Sequence, residues 1–120
     1  MDFALTEEQR MLFDSVSGFL NSAAPLEHVR EAAQTGATHS TDIAQGLAQL
    51  GVYGILIDPD YGGVGLGMLE AALVAEALGY AVAPAAFAGT AVMAPMALQL
   101  AGSDEQKEMW PQNPKTPKPL

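Results

Sequence analysis

Cysteine is absent from the 120 residues, which removes disulfides, thiolate metal sites and a cysteine nucleophile. Positive charge is scarce. Five lysines and arginines stand against 14 aspartates and glutamates, for a formal net charge of −9. Before Lys107 the only cations are Arg10 and Arg30. No basic patch is available to neutralise phosphates, so nucleic acid is not an expected partner. An anionic bilayer is not one either. Aromatic residues make up only 7%. The N-terminus, Met1-Asp2-Phe3, lacks a basic segment followed by an apolar one. No secretory signal is therefore expected, and a cytoplasmic address is.

Apolar residues are plentiful at 49%, and many are alanine. A core of alanine and leucine suits closely packed helices better than a β-sandwich, which favours branched and aromatic side chains. The length suits one domain. Thr6-Glu7-Glu8-Gln9 predicts a helix start, with Thr6 as cap, Gln9 closing a capping box and two carboxylates at the positive end of the dipole. Leu12, Val16, Phe19 and Leu20 then recur at helical spacing, and the helix should end near Asn21. Pro25 suits the first turn of a second helix that runs to about Gln34 before Gly36. Thr41 is expected to cap a third, with Ile43, Leu47 and Leu50 on one face and Gly51 as its stop. Ile55-Leu56-Ile57 reads as buried coil or a brief extended piece. Proline and glycine punctuate Asp58 to Gly67 as a turn-rich loop. A fourth helix is predicted from about Met68 to Leu78, ending at Gly79. Ser103-Asp104-Glu105-Gln106 forms a second capping box and opens a last short helix. Pro111, Pro114, Pro117 and Pro119 exclude regular structure after it. The division is thus a helical domain over residues 1–110 and a proline-rich, disordered tail over 111–120.

From Ala77 to Ser103 no side chain is charged. The run is long enough to raise a membrane span. Pro84 and Pro95 interrupt it, alanine and glycine add little transfer energy, and no cation flanks it closely. A helix apolar on every side is otherwise one covered by protein on every side. This run therefore expects neighbours beyond the chain.

Candidate chemistry is thin. Gly63-x-Gly65-x-Gly67 falls between an apolar run and a helix, as a dinucleotide fingerprint would. Its spacing is one residue short, no acidic residue stands about 20 positions on, and Asp58 and Asp60 would repel a phosphate. A structural turn is the better reading. His28 and His39 lack the second histidine of a helical metal pair, so no metal site is expected. Ser15, Ser17 and Ser22 have no base in reach. Glu70 and Glu76 lie nearest the apolar run, and Glu76 is read as a helix-face carboxylate rather than a buried acid. No catalytic residue is assigned.

Four segments resemble the acyl-CoA dehydrogenase family, in the right order and at about the right spacing. They are Met1 to Gln9, Pro59-Asp60-Tyr61-Gly62-Gly63-Val64-Gly65-Leu66, Glu76-Ala77-Leu78-Gly79 and Ala101-Gly102-Ser103-Asp104-Glu105-Gln106-Lys107. The resemblance implies an all-α N-terminal domain, an orthogonal bundle of five to six helices. In complete members a β-barrel and a C-terminal helical domain follow it. It implies FAD bound mainly by those later domains and α,β-dehydrogenation of an acyl-CoA thioester by a glutamate base in the last domain. Carried onto this chain, it makes Ala85, Ala86, Gly89 and Met93 one wall of the acyl-chain cavity, on one helical face. After Trp110 the chain departs from the family, because a proline-lysine tail stands where the first barrel strand would be.

Three readings follow: an acyl-CoA dehydrogenase domain inert alone, a small non-catalytic subunit that docks on a partner chain, and a helical interaction module. Tight FAD binding by the chain alone is not expected. Self-association or partner binding is, through the face of Ala86, Gly89, Thr90 and Met93.

Overall fold

The computed structural model describes residues 3–109, and the expected tail over 111–120 lies outside them. Among the described residues the structure is all-α, with no strand. Its helices are α1 (Glu7–Ala23), α2 (Leu26–Thr35), α3 (Thr41–Gln49), α4 (Met68–Tyr80), α5 (Ala94–Ala101) and α6 (Asp104–Met109). A π-helical segment, Ala88–Met93, leads directly into α5.

Helix α1 starts as its sequence predicts. The Gln9 amide donates to Thr6 Oγ1 at 3.2 Å, and the Thr6 amide donates to Gln9 Oε1 at 3.0 Å. The box at Ser103 and Gln106 closes in the same way, at 3.2 and 2.9 Å. Other boundaries move. Helix α1 runs two residues past Asn21, to Ala23. Pro25 stands before α2 with extended backbone, so the helix begins at Leu26. Ser40, not Thr41, caps α3, with its hydroxyl accepting from the Ile43 amide. Both residues are competent caps, and extended backbone at Ser40 decides between them. Gly51, at φ 78°, supplies the left-handed turn after α3. Gly79 does not stop α4, which continues to Tyr80. The Ala81 amide bonds back to the Ala77 carbonyl and carries the helix past the glycine.

The core forms where α1 packs on α3 and α4. Val16 and Leu20 of α1, Ile43 and Leu47 of α3, and Val74 of α4 are buried together with Val52 and Ile55 from the turns between. Each large aliphatic side chain so buried contributes about 1.5–3 kcal/mol. Leu50, expected on the same face as Ile43 and Leu47, is 42% exposed, because α3 ends before it. Gly46 lets α3 approach α1 closely, since a Cβ there would lie 2.0 Å from Cζ of Phe19. Ile55-Leu56-Ile57 is buried coil, without extended structure. Gln99 of α5 ties down this coil, its side-chain amide donating to the Leu56 carbonyl at 2.7 Å.

Two glycines should respond oppositely to alanine. At Gly63 a Cβ would sit 2.0 Å from the Ile57 carbonyl oxygen, a backbone atom that cannot step aside. At Gly18, inside α1, it would meet nothing within 4 Å. Gly63→Ala is expected to lower unfolding free energy by more than about 2 kcal/mol through overpacking. Gly18→Ala should raise it by roughly 1 kcal/mol through helix propensity. Urea denaturation of the two variants checks both signs.

Candidate functional site

The glycine-rich loop is closed to phosphates. For five successive residues its backbone N–H groups are already bonded within the chain. Gly63 donates to Asp58, Val64 to Gly54, Gly65 to Ile57 and Leu66 to Ile55, at 2.8–3.2 Å. Gly67 donates to the Glu70 carboxylate at 2.9 Å. A phosphate cradle needs such groups free and pointing at the ligand. This loop spends them stitching itself onto the buried Ile55–Ile57 coil. The residues therefore do not fit the pyrophosphate of a flavin dinucleotide.

The wall residues lie at the start of the uncharged run. Ala85 is half-buried and packed against the core, whereas Ala86, Gly89 and Met93 are exposed, Met93 at 69%. The expectation that all four share a helical face is corrected for two of them. Ala85 and Ala86 precede the helix, and only Gly89 and Met93 lie in it. The late start has a local cause. The Ser40 amide bonds to the Pro84 carbonyl, the Ala85 and Phe87 amides make tight bonds back to Ala83 and Ala85, and Phe87 is buried as a plug. Helix begins only after that plug. Thr90 is half-buried, and its hydroxyl donates to the Ala86 carbonyl.

Two departures from ordinary backbone flank this segment. Val82 has φ 50°, a left-handed conformation that a β-branched side chain rarely adopts. The π-helix that follows runs into Pro95, which is fully buried. Proline has no N–H to give the carbonyl four residues back, and its ring crowds that carbonyl. The helix accommodates it by widening, and the Ala94 amide reaches to the Gly89 carbonyl instead. π-Segments of this kind concentrate at functional sites.

A cavity of about 470 Å³ lies between α1, α2, α3 and Pro84, lined in part by Ser22, His28, Glu31, Ser40 and Asp42. Among the described residues no three histidine, aspartate or glutamate side chains gather to hold a metal. His28 and His39 are exposed, and His39 Nδ1 lies 3.3 Å from Thr38 Oγ1. Glu76 is exposed on α4, as a helix-face carboxylate is. Glu70 is held by the Gln9 side-chain amide at 2.8 Å and by the Gly67 amide. The Gln9 hydrogen bond, first, and the backbone bonds lower its pKa from 4.5. Burial raises the pKa of Tyr53. Desolvation, then the carboxylates of Asp104, Glu108, Asp58 and Asp60, raise that of Tyr61. All three displacements lead away from neutrality, the opposite of what proton transfer near pH 7 needs. Among the described residues no helix is long and apolar enough to cross a membrane.

A model of the acyl-CoA dehydrogenase N-terminal domain matches residues 6–113. The chain belongs to that family. Among curated relatives, it is 32% identical over 111 residues to an acryloyl-CoA reductase (NADH) of Anaerotignum propionicum, covering 92% of the chain and 28% of the relative. It is 29% identical over 110 residues to acyl-CoA dehydrogenase FadE27 of Mycobacterium tuberculosis, covering 92% of the chain and 30% of the relative. This acyl-CoA dehydrogenase N-terminal domain thus spans less than a third of the length of the relatives it matches. No solved structure matches it. The Val82 turn and the Gln9–Glu70 bond escaped sequence reasoning. The first has no sequence signal, and the second joins residues 61 apart in sequence.

Glu70 yields a prediction for acid stability. A carboxylate whose pKa is lowered on folding stabilises the fold fully above its unfolded pKa, and loses that contribution as pH falls through the folded value. Acidification from pH 6 to below the ordinary glutamate value of 4.5 should lower the urea midpoint. Gln9→Ala, which removes the first cause of the shift, should make that fall shallower. An equal pH slope in both proteins would rule out the Gln9–Glu70 bond as its source.

Proposed function

We propose that this chain is the N-terminal domain of an acyl-CoA dehydrogenase-type flavoprotein. It forms part of the wall of the acyl-chain cavity through Ala85, Ala86, Gly89 and Met93 and does no chemistry alone. The observation that carries this reading is the family match over residues 6–113, which covers nearly all of the described fold. The names of both relatives point to acyl-CoA thioesters, one as substrate of a dehydrogenase and one, acryloyl-CoA, as substrate of a reductase. An acyl-CoA thioester is accordingly the substrate class assigned here, and the cytoplasm the compartment.

The exposed, uncharged surface at Ala86, Gly89 and Met93 supports the wall assignment, because an acyl chain is held by apolar contact and excluded by bulk. Small side chains there leave width for a large acyl group. FAD belongs to the completed protein and is held by parts other than this one, since the glycine loop has no N–H to offer it. Those parts come from further residues of the same polypeptide or from a partner chain. The alternative, a non-catalytic subunit or helical interaction module, draws on the same exposed surface and assigns it to protein instead of substrate.

Two measurements test the proposal, and the second also separates it from the alternative. The chain purified alone should show no flavin absorbance and leave acyl-CoA unchanged, because rate needs a positioned base and a positioned cofactor. In the assembled flavoprotein, Gly89→Phe should lower kcat/KM for bulky acyl-CoA substrates by about tenfold or more while sparing short ones. Stoichiometric flavin on the isolated chain would overturn inertness. A uniform effect on all acyl lengths would overturn the wall.

A further inference from the structure

The segment leading into α5 is fixed at both ends. At its start Phe87 is buried, just after the bond from the Ser40 amide to the Pro84 carbonyl. At its end Pro95 is fully buried, and Gln99 of α5 donates to the Leu56 carbonyl. Phe87, Ala91 and Pro95, spaced four residues apart, form the buried side, whereas Gly89 and Met93 are exposed. Between the anchors the winding changes. The Ala91 amide still bonds to the Phe87 carbonyl, four residues back, at 2.8 Å. The Ala94 amide reaches five residues back, to Gly89. The step from four to five thus falls between Ala91 and Ala94, next to Pro95.

We propose that Pro95 is a positioning residue: it holds Ala88–Met93 in the π register and so decides which side chain stands outward on the acyl wall. The effect on substrate rests on the wall assignment above, whereas the register is a property of the chain alone. An α-helix through this segment would have residue 95 donate to the Ala91 carbonyl. Pro95 has no N–H to give, and its ring would press on that carbonyl. A π-turn holds one residue more than an α-turn. Counted back from the anchored α5, the two windings therefore differ by one position, or about 100° of rotation. In the α register Thr90 would take the outward place that Gly89 holds. A β-branched side chain would then stand where the structure has none, and would narrow the space for an acyl chain. Thr90 is the rival cause of the widening, because its hydroxyl bonds to the Ala86 carbonyl, and such bonds bend helices. That bond lies before the step from four to five, and Pro95 lies beside it.

Nuclear magnetic resonance of the full chain tests the register, through scalar couplings carried across hydrogen bonds. In the parent the Ala94 amide should couple to the Gly89 carbonyl. In Pro95→Ala it should couple to Thr90 instead, and the new amide at position 95 to Ala91. Thr90→Val, which keeps the shape and loses the hydroxyl, should retain the Gly89 coupling. The assembled flavoprotein tests the consequence. Pro95→Ala should lower kcat/KM for bulky acyl-CoA substrates by about tenfold or more while sparing short ones. Adding Thr90→Gly should restore the bulky ones. A Gly89 coupling that survives Pro95→Ala overturns the inference. So does its loss in Thr90→Val, even where Pro95→Ala does not fold. Failure of Thr90→Gly to restore bulky substrates overturns the positioning role. A uniform effect of Gly89→Phe on all acyl lengths strikes the wall reading alone, since the couplings are read without substrate.

Discussion

Helix α4 has to be buried by α1 on one side, and the rest of the domain is arranged to make that possible. Val16 and Leu20 meet Val74 and its neighbours there, with α3 and the coil at Ile55 closing the remaining sides. A polar latch joins the starts of the two helices, where the capping glutamine of α1 reaches the Glu70 carboxylate that caps α4. The glycine loop before α4 contributes by spending its amides on the buried coil, which fixes where α4 begins. That same economy takes the loop out of consideration as a phosphate site. The loop's hold on the coil and its closure to phosphate therefore have one cause.

Much of this was legible in the sequence, and the parts that were not share a reason. The capping boxes at Thr6 and Ser103 follow from local hydrogen-bonding chemistry, and both close as expected. The aliphatic spacing of α1 and α3 names core residues directly. What escaped depended on distant partners or on two local rules in competition. Gly79 reads as a stop, yet α4 passes through it. Ala85 and Ala86 read as helix, yet the Ser40–Pro84 bond and buried Phe87 hold the chain out of it. Pro95 was visible as an interruption, but nothing local says that the helix would widen rather than break.

The candidate site was legible only through resemblance. Alanine, glycine and methionine at positions 85–93 have no chemistry that pattern reasoning can detect. Ala86, Gly89 and Met93 are exposed in the segment after the left-handed Val82, and Ala85 is half-buried. Charge is spread over α1, α2, α3, α6 and the loop before α4, and α4 itself carries Glu70 and Glu76. The uncharged surface is the exposed side of α4 at Met68, Ala72, Ala75 and Gly79, together with the segment leading into α5. Large exposed apolar surfaces are uncommon on monomers.

The central claim is that this uncharged surface is covered when the protein is at work. Methionine oxidation reports on it directly, because exposed thioethers are the ones that react. Met68 and Met93 lie on the uncharged surface and Met11 and Met109 on the acidic helices α1 and α6, and all four are more than half exposed in the single chain. Peroxide treatment of the dilute purified chain and of intact host cells should therefore give different patterns. In the dilute chain the four should oxidise at similar rates. In cells Met68 and Met93 should be protected relative to Met11 and Met109. Equal oxidation of all four in cells would contradict the account.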